Sequence, residues 1–195
     1  MNIGEFLSAN RFDIITVLFL FGMFVLGFAQ GTIRRVLGIA SMTFSFLLAA
    51  NLRDPLGSFL AANWRQFLPE YSVMVGFATV FVAATIAFTL VIQGFYHHQP
   101  LFEKYTFVDE AIGGVLGVVQ GLLFIGFIVV ILDTYFEIPG AVEARGELIL
   151  IRGIHDFYDN SITAELLRST LIPGFMTVFG VLIPLDLRSL FPGRS

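Results

Sequence analysis

The feature that most constrains this chain is a set of four apolar runs, at 12–29, 36–52, 71–96 and 111–132. Each approaches or exceeds the ~18 residues that mark a membrane span, since about 20 helical residues rise ~30 Å. A bilayer core offers no water to backbone polar groups, so a spanning segment must satisfy them as a helix or a closed barrel. The runs do not alternate apolar with polar residues, which excludes the barrel. Only 13% of the residues are charged, against about 25% in soluble domains. The chain therefore reads as an all-α, multi-pass membrane helical bundle with four transmembrane helices. Gly27-Phe28-Ala29 would suit a signal-peptidase site. The first run is nevertheless longer than a signal peptide's apolar region and more spans follow, so it reads as an uncleaved span.

The absence of cysteine excludes disulfides, thiol catalysis and cysteine-ligated metals. Eleven Lys and Arg spread along a chain of net charge −4 leave nucleic-acid binding without an electrostatic basis.

Within the fourth run stands a ladder, Asp109, Gly113, Gly117 and Gly121, each four residues after the last. Residues four apart share a helical face, so three glycines bare a strip on which another helix backbone packs closely. The partner is span one through Gly27 and Gly31, span three, or another copy. Gln120, the only amide of the run, lies near the bilayer middle, about 13 Å in by helical rise, and must bond another helix or line a polar pathway. Gly27-Phe-Ala-Gln-Gly31 and Gly117-Val-Val-Gln-Gly121 share the pattern Gly-x-x-Gln-Gly.

Two regions follow from this pattern. Residues 1–135 form the four-span domain. Spans one and two make a hairpin through a turn at 32–35; 53–70 is a loop with a short helix near 60–67; Gly76, Ala83, Ala87 and Gly94 form a small-residue stripe on span three. Tyr71, Tyr96, Tyr105, Tyr135 and Trp64 sit at segment ends, the depth that polar-edged rings prefer. Residues 136–195 are an amphipathic tail. There Asn160-Ser161 caps a helix carrying Ile162, Leu166, Leu167 and Leu171 on one side. Pro173 and Pro184 bracket about ten apolar or small residues, roughly 15 Å of helix, so 171–190 is interfacial or re-entrant rather than a fifth span.

The charged candidates follow from topology. Asp109 shares a membrane face with Arg34 and Arg35, as an ion-pair partner or as a solvated carboxylate near a helix N-terminus. Asp13 and Asp133 share the other face, as boundary markers or, if they reach a cavity, as a proton relay or cation site. His97, His98 and Glu103, or His155, Asp156 and Asp159, match no metal-ligand spacing and read as wet polar connections. No catalytic triad order, nucleophile elbow or phosphate loop is present. No enzyme, metal or cofactor is expected.

Asp13 at the start of span one, Gln30-Gly31-x-x-Arg34 at the first turn, the Asp109–Gly121 ladder and Leu132-Asp133 at its end together resemble the bacterial colicin V production protein (CvpA) family. The family pattern has arginine where this chain has Gln30, Glu110 and Gln120. The resemblance implies a multi-pass protein of the bacterial inner membrane acting in toxin production, export or envelope function. It sits in the lipid bilayer and associates with other membrane proteins or with itself. Two other readings stand beside it: a scaffold subunit of a larger complex, or a small channel using Asp13, Asp133 and Gln120. Basic residues near the membrane (Arg11, Arg53, Arg65, Arg145 and Arg152 against Arg34, Arg35 and Lys104) weakly place the termini in the cytoplasm. Similar modules that precede extracytoplasmic serine protease domains tip the expectation the other way.

Overall fold

A computed structural model describes residues 11–64, 67–95, 106–136 and 149–191. The helices are α1 (Arg11–Gln30), α2 (Thr32–Asn63), α3 (Pro69–Phe95), α4 (Thr106–Phe136), α5 (Ile149–Asp159), α6 (Ile162–Leu182) and α7 (Leu185–Leu190). Among the described residues no strand occurs, and α1 to α4 are each long and apolar enough to cross a membrane. They form two antiparallel pairs, α1 with α4 and α2 with α3, joined by α2 against α4.

The turn between α1 and α2 is a single residue. Gly31 has φ +76°, a left-handed conformation that costs a side chain energy but glycine almost none. The helix resumes at Thr32, so 32–35 is the first turn of α2 rather than a connecting loop. A second difference lies at its other end. Pro55 removes one backbone donor, yet α2 continues through it to Asn63. One reason is packing. A Cβ on Gly57 would fall 2.5 Å from the Val73 Cα, and one on Gly76 3.0 Å from the Gly57 nitrogen. Two glycines thus press the backbones of α2 and α3 together beyond the proline. Gly76 is the member of the expected stripe that packs so; Ala83 and Ala87 are exposed, and Gly94 has nothing within 4 Å of its Cβ position. The buried face of α3 is instead Tyr71, Met74, Phe77, Phe81 and Ala84, a 3-and-4 spacing.

The centre of the bundle is a phenylalanine layer. Phe46 and Phe127 stack at 4.2 Å, and Phe77, Phe81 and Phe175 meet them at 5.0–5.9 Å. In lipid the hydrophobic effect does not drive helices together, so such van der Waals contacts carry the association, with aromatic pairs adding about 0.5–1.5 kcal/mol each. Tyr71 and Tyr135, at the ends of α3 and α4, are turned inward, 2% and 0% exposed and edge to face at 5.1 Å. Trp64 is exposed at the end of α2. Tyr96 and Tyr105 lie outside the described residues.

The tail helix begins earlier than its prolines suggest. Ser161 caps it, its Oγ accepting from the Ala164 backbone N–H at 3.0 Å. Pro173 then lies inside, just after a π turn at Leu167–Leu171. In a regular helix the proline ring would strike the carbonyl four residues back, that of Ser169; the widened turn there makes room. The buried face carries Ala164, Leu167, Ile172 and Met176, while Ile162 and Leu166 point outward.

By length and composition α6 is also of membrane-crossing size, but its contacts run otherwise. The Gly31 turn and the start of α4 meet where Thr32 Oγ1 donates to the Asp109 carbonyl, 2.9 Å. At ~1.5 Å per residue, Asp13 lies about 27 Å from that point along α1, Asn51 about 28 Å along α2, and Gly126 about 26 Å along α4. The start of α6 sits on Asp13, its middle on Gly126, and its last carbonyl on Asn51. A helix of about 31 Å with both ends at one level lies across the bundle, at the end opposite the Gly31 turn. The tail helix is thus longer than the expected segment 171–190 and starts at Ile162.

Gly117→Leu should break the α1–α4 pair, because the added side chain meets the Met23 backbone carbonyl at under 3 Å. Overpacking against backbone costs about 1–3 kcal/mol or more. Thermal unfolding and size-exclusion chromatography in mild detergent should show loss of the folded monodisperse protein.

Candidate functional site

The glycine ladder finds its partner in α1. A Cβ on Gly113 would lie 2.5 Å from the Gly27 carbonyl oxygen and 3.0 Å from the Gly31 Cα. Side chains at Gly27 and Gly117 would meet backbone atoms of Gly113 and Met23 at under 3 Å, and one at Gly121 would meet Leu20 at 2.9 Å. Gly27 thus sits between Gly113 and Gly117, and the two antiparallel Gly-x-x-Gln-Gly segments meet only at their first glycines. The strip is filled from within the chain.

Asp109, at the head of the ladder, is 3% exposed and so is not a solvated carboxylate. It stands against the Gly31 turn, where a Cβ on Gly31 would come 2.5 Å from its Oδ2. Among the described residues no ion pair joins it to Arg34 or Arg35. Arg35, 5% exposed, turns into the bundle instead, and its Nη1 donates to Gln120 Oε1 at 2.9 Å. Gly38 makes this possible: a Cβ there would crowd the Gln120 amide at 2.8 Å. Arg34 lies beside it and lines a cleft of ≈ 240 Å³ with Gln30, Arg35, Thr89 and Gln120. Sequence reasoning offered Arg35, beside Arg34, only as a partner for Asp109, because both were assigned to a turn; its bond to Gln120 was not foreseen. A buried guanidinium must keep hydrogen-bond partners for its donors, and Gln120 supplies one of them.

The opposite end holds the other polar cluster. Asp133 is fully buried and accepts a fork from Arg168, Nε to Oδ2 and Nη2 to Oδ1, both 2.8 Å. The Tyr158 hydroxyl donates to the same Oδ1 at 2.8 Å, and Arg168 Nη1 also donates to Asp159 at 2.7 Å. Burial, reinforced by the Asp133 charge, pushes the Tyr158 hydroxyl well above the ordinary tyrosine range. Asp13 accepts from the backbone N–H of Ile162 and Thr163 and from the Thr163 hydroxyl, at 3.3, 2.8 and 2.6 Å. It caps α6 and meets the positive end of its dipole. At the far end Arg53 pairs with Asp186 of α7, and Asn51 donates to the Leu182 carbonyl at 2.9 Å.

These contacts correct the boundary-marker reading of Asp13 and Asp133. Both carboxylates hold the crosswise helix, and protein donors fill them. Arg168, Tyr158 and Asp159 were not anticipated; the available signal was Arg168 itself, a cation in an apolar helix that must find a partner. His155 is likewise no wet connection: it is 8% exposed and stacks on Phe136 at 4.5 Å. Among the described residues no group of three or more acidic or imidazole side chains is placed to hold a metal. His97, His98 and Glu103 lie outside them.

The chain was compared with known proteins. The family model described as colicin V production protein matches residues 12–177, from the start of α1 into α6. No curated protein and no solved structure matches.

Removing Arg168 would strand a buried carboxylate, so Arg168→Leu should lower stability by about 3–5 kcal/mol, while Asp133→Leu with Arg168→Leu should recover a large part of it. Tyr158→Phe removes one charge-assisted bond, worth about 1.5–3 kcal/mol. A hydroxyl whose pKa is raised on folding stabilises most below the unfolded value of 10.0 and loses that contribution as pH rises above it. The gap between wild type and Tyr158→Phe should therefore narrow above about pH 10 in unfolding titrations in detergent.

Proposed function

The chain belongs to the colicin V production protein family and is a multi-pass membrane protein, and from that premise we propose that it acts in the bacterial inner membrane, in toxin production or export or in envelope function, without enzymatic chemistry. Its role is that of a rigid helical platform that associates with other membrane proteins.

One observation carries the reading. The two polar clusters lie at opposite ends of the bundle, about 20 Å apart from Gln120 to Asp133 by helical rise. Between them stands the layer of Phe46, Phe77, Phe81, Phe127 and Phe175. A conducting pathway needs polar groups or water along its whole length; among the described residues the charged groups stand at the ends, and the buried mid-bundle hydroxyl of Ser45 bonds its own helix at the Ser41 carbonyl. The carboxylates that a channel would use are occupied in binding α6. The same geometry supports a platform: α6 and α7 spread across one end of the bundle and leave Ile162, Leu166, Val178, Val181 and Leu185 exposed.

A strain lacking this chain should release less colicin V than its parent when both carry the toxin genes, and expression of the chain should restore release. Arg168→Leu, which frees α6, should not restore it. Proteoliposomes should show no ion flux beyond empty vesicles. Undiminished toxin release in the deletion strain, with an intact envelope, would overturn the proposed role; a selective flux would favour the channel.

A further inference from the structure

The cleft at the Gly31 end has no part in the platform reading, and its chemistry is distinctive. Arg34, Arg35 and Gly38 of α2 face Gln30 of α1, Thr89 of α3 and Gln120 of α4 across it. Two guanidinium groups line it, and no ion pair among the described residues joins either of them to a carboxylate. Arg35 is held in place by its single bond to Gln120, and its Nε is buried with no hydrogen-bond partner. A buried guanidinium donor left open is expensive, and a fork of N–H donors matches the oxygens of a phosphate. Gln30, Gln120 and Thr89 add neutral groups that can bond further oxygens.

We propose that this cleft binds a phosphate group, with Arg35 as the central donor and Arg34 completing the charge. The rim says where the phosphate comes from. Leu26 and Ile92 line the cleft beside its polar groups, and Leu26 is 50% exposed, so the wall is apolar on the side that faces lipid. Arg35 stands only one turn from the end of the bundle, at headgroup reach. A phospholipid of net negative charge fits both parts, its phosphate on Arg35 and its chains along α1 and α3. Gly38 leaves room for the Gln120 amide, which a Cβ there would approach to 2.8 Å.

The test uses the purified full chain in mild detergent, with thermal unfolding read against added phosphatidylglycerol, phosphatidylcholine or inorganic phosphate. A rise in Tm with phosphatidylglycerol, several-fold larger than with phosphatidylcholine and lost in Arg35→Gln, supports a lipid phosphate. A rise with inorganic phosphate that Arg35→Gln abolishes supports the same site for a soluble phosphate. Arg34→Gln, a partly exposed position, should weaken either response and serves if Arg35→Gln fails to fold. No anion-dependent rise in the wild-type protein overturns the proposal, as does an equal rise in wild type and both variants. The outcome is independent of toxin release, so this inference and the proposed role fail separately.

Discussion

Everything else in this bundle hangs on the backbone contact between α1 and α4. At Gly27, Gly113 and Gly117 two helices approach until main chain touches main chain. In water such a contact would be one of many. In lipid, where apolar side chains gain nothing by leaving solvent, close approach is the main source of attraction between helices. It also fixes register. With Gly27 on Gly113, Asp13 and Asp133 arrive at the same end, within reach of one crosswise helix.

That helix resolves a conflict. α6 is apolar enough to cross a bilayer, yet carries Arg168 near its start. Lying across the bundle, it places that cation on Asp133 and gives its unsatisfied first N–H groups to Asp13. Arg53 and Asn51 hold the other end. Each buried charge so placed has a partner, and the phenylalanine layer beside it is built of ring contacts. The polar chemistry of the molecule is thereby divided. At one end the charges pair with the tail, and at the other a cationic cleft has no carboxylate partner among the described residues.

Much of this was legible in single positions. Gly31 announces a turn because little else tolerates its conformation, and Ser161 announces a helix start through its hydroxyl. Pro55 and Pro173 misled for one reason: each removes a single hydrogen bond, a loss that a close glycine contact or a π turn absorbs. Tyr71 and Tyr135 stand at segment ends as expected, but that they turn inward onto each other depends on the neighbours that the fold brings to them.

The sequence by itself determined the helical class, the four main spans, the family and the surface of α4 that packs, because run length and the absence of side chains act locally. Tertiary structure alone decided that α1 fills that surface, that Arg35 rather than Arg34 reaches Gln120, that Asp13 and Asp133 hold the tail, and that α6 lies across the bundle. Those outcomes depend on which charges come within bonding distance after helices far apart in the chain have been brought side by side.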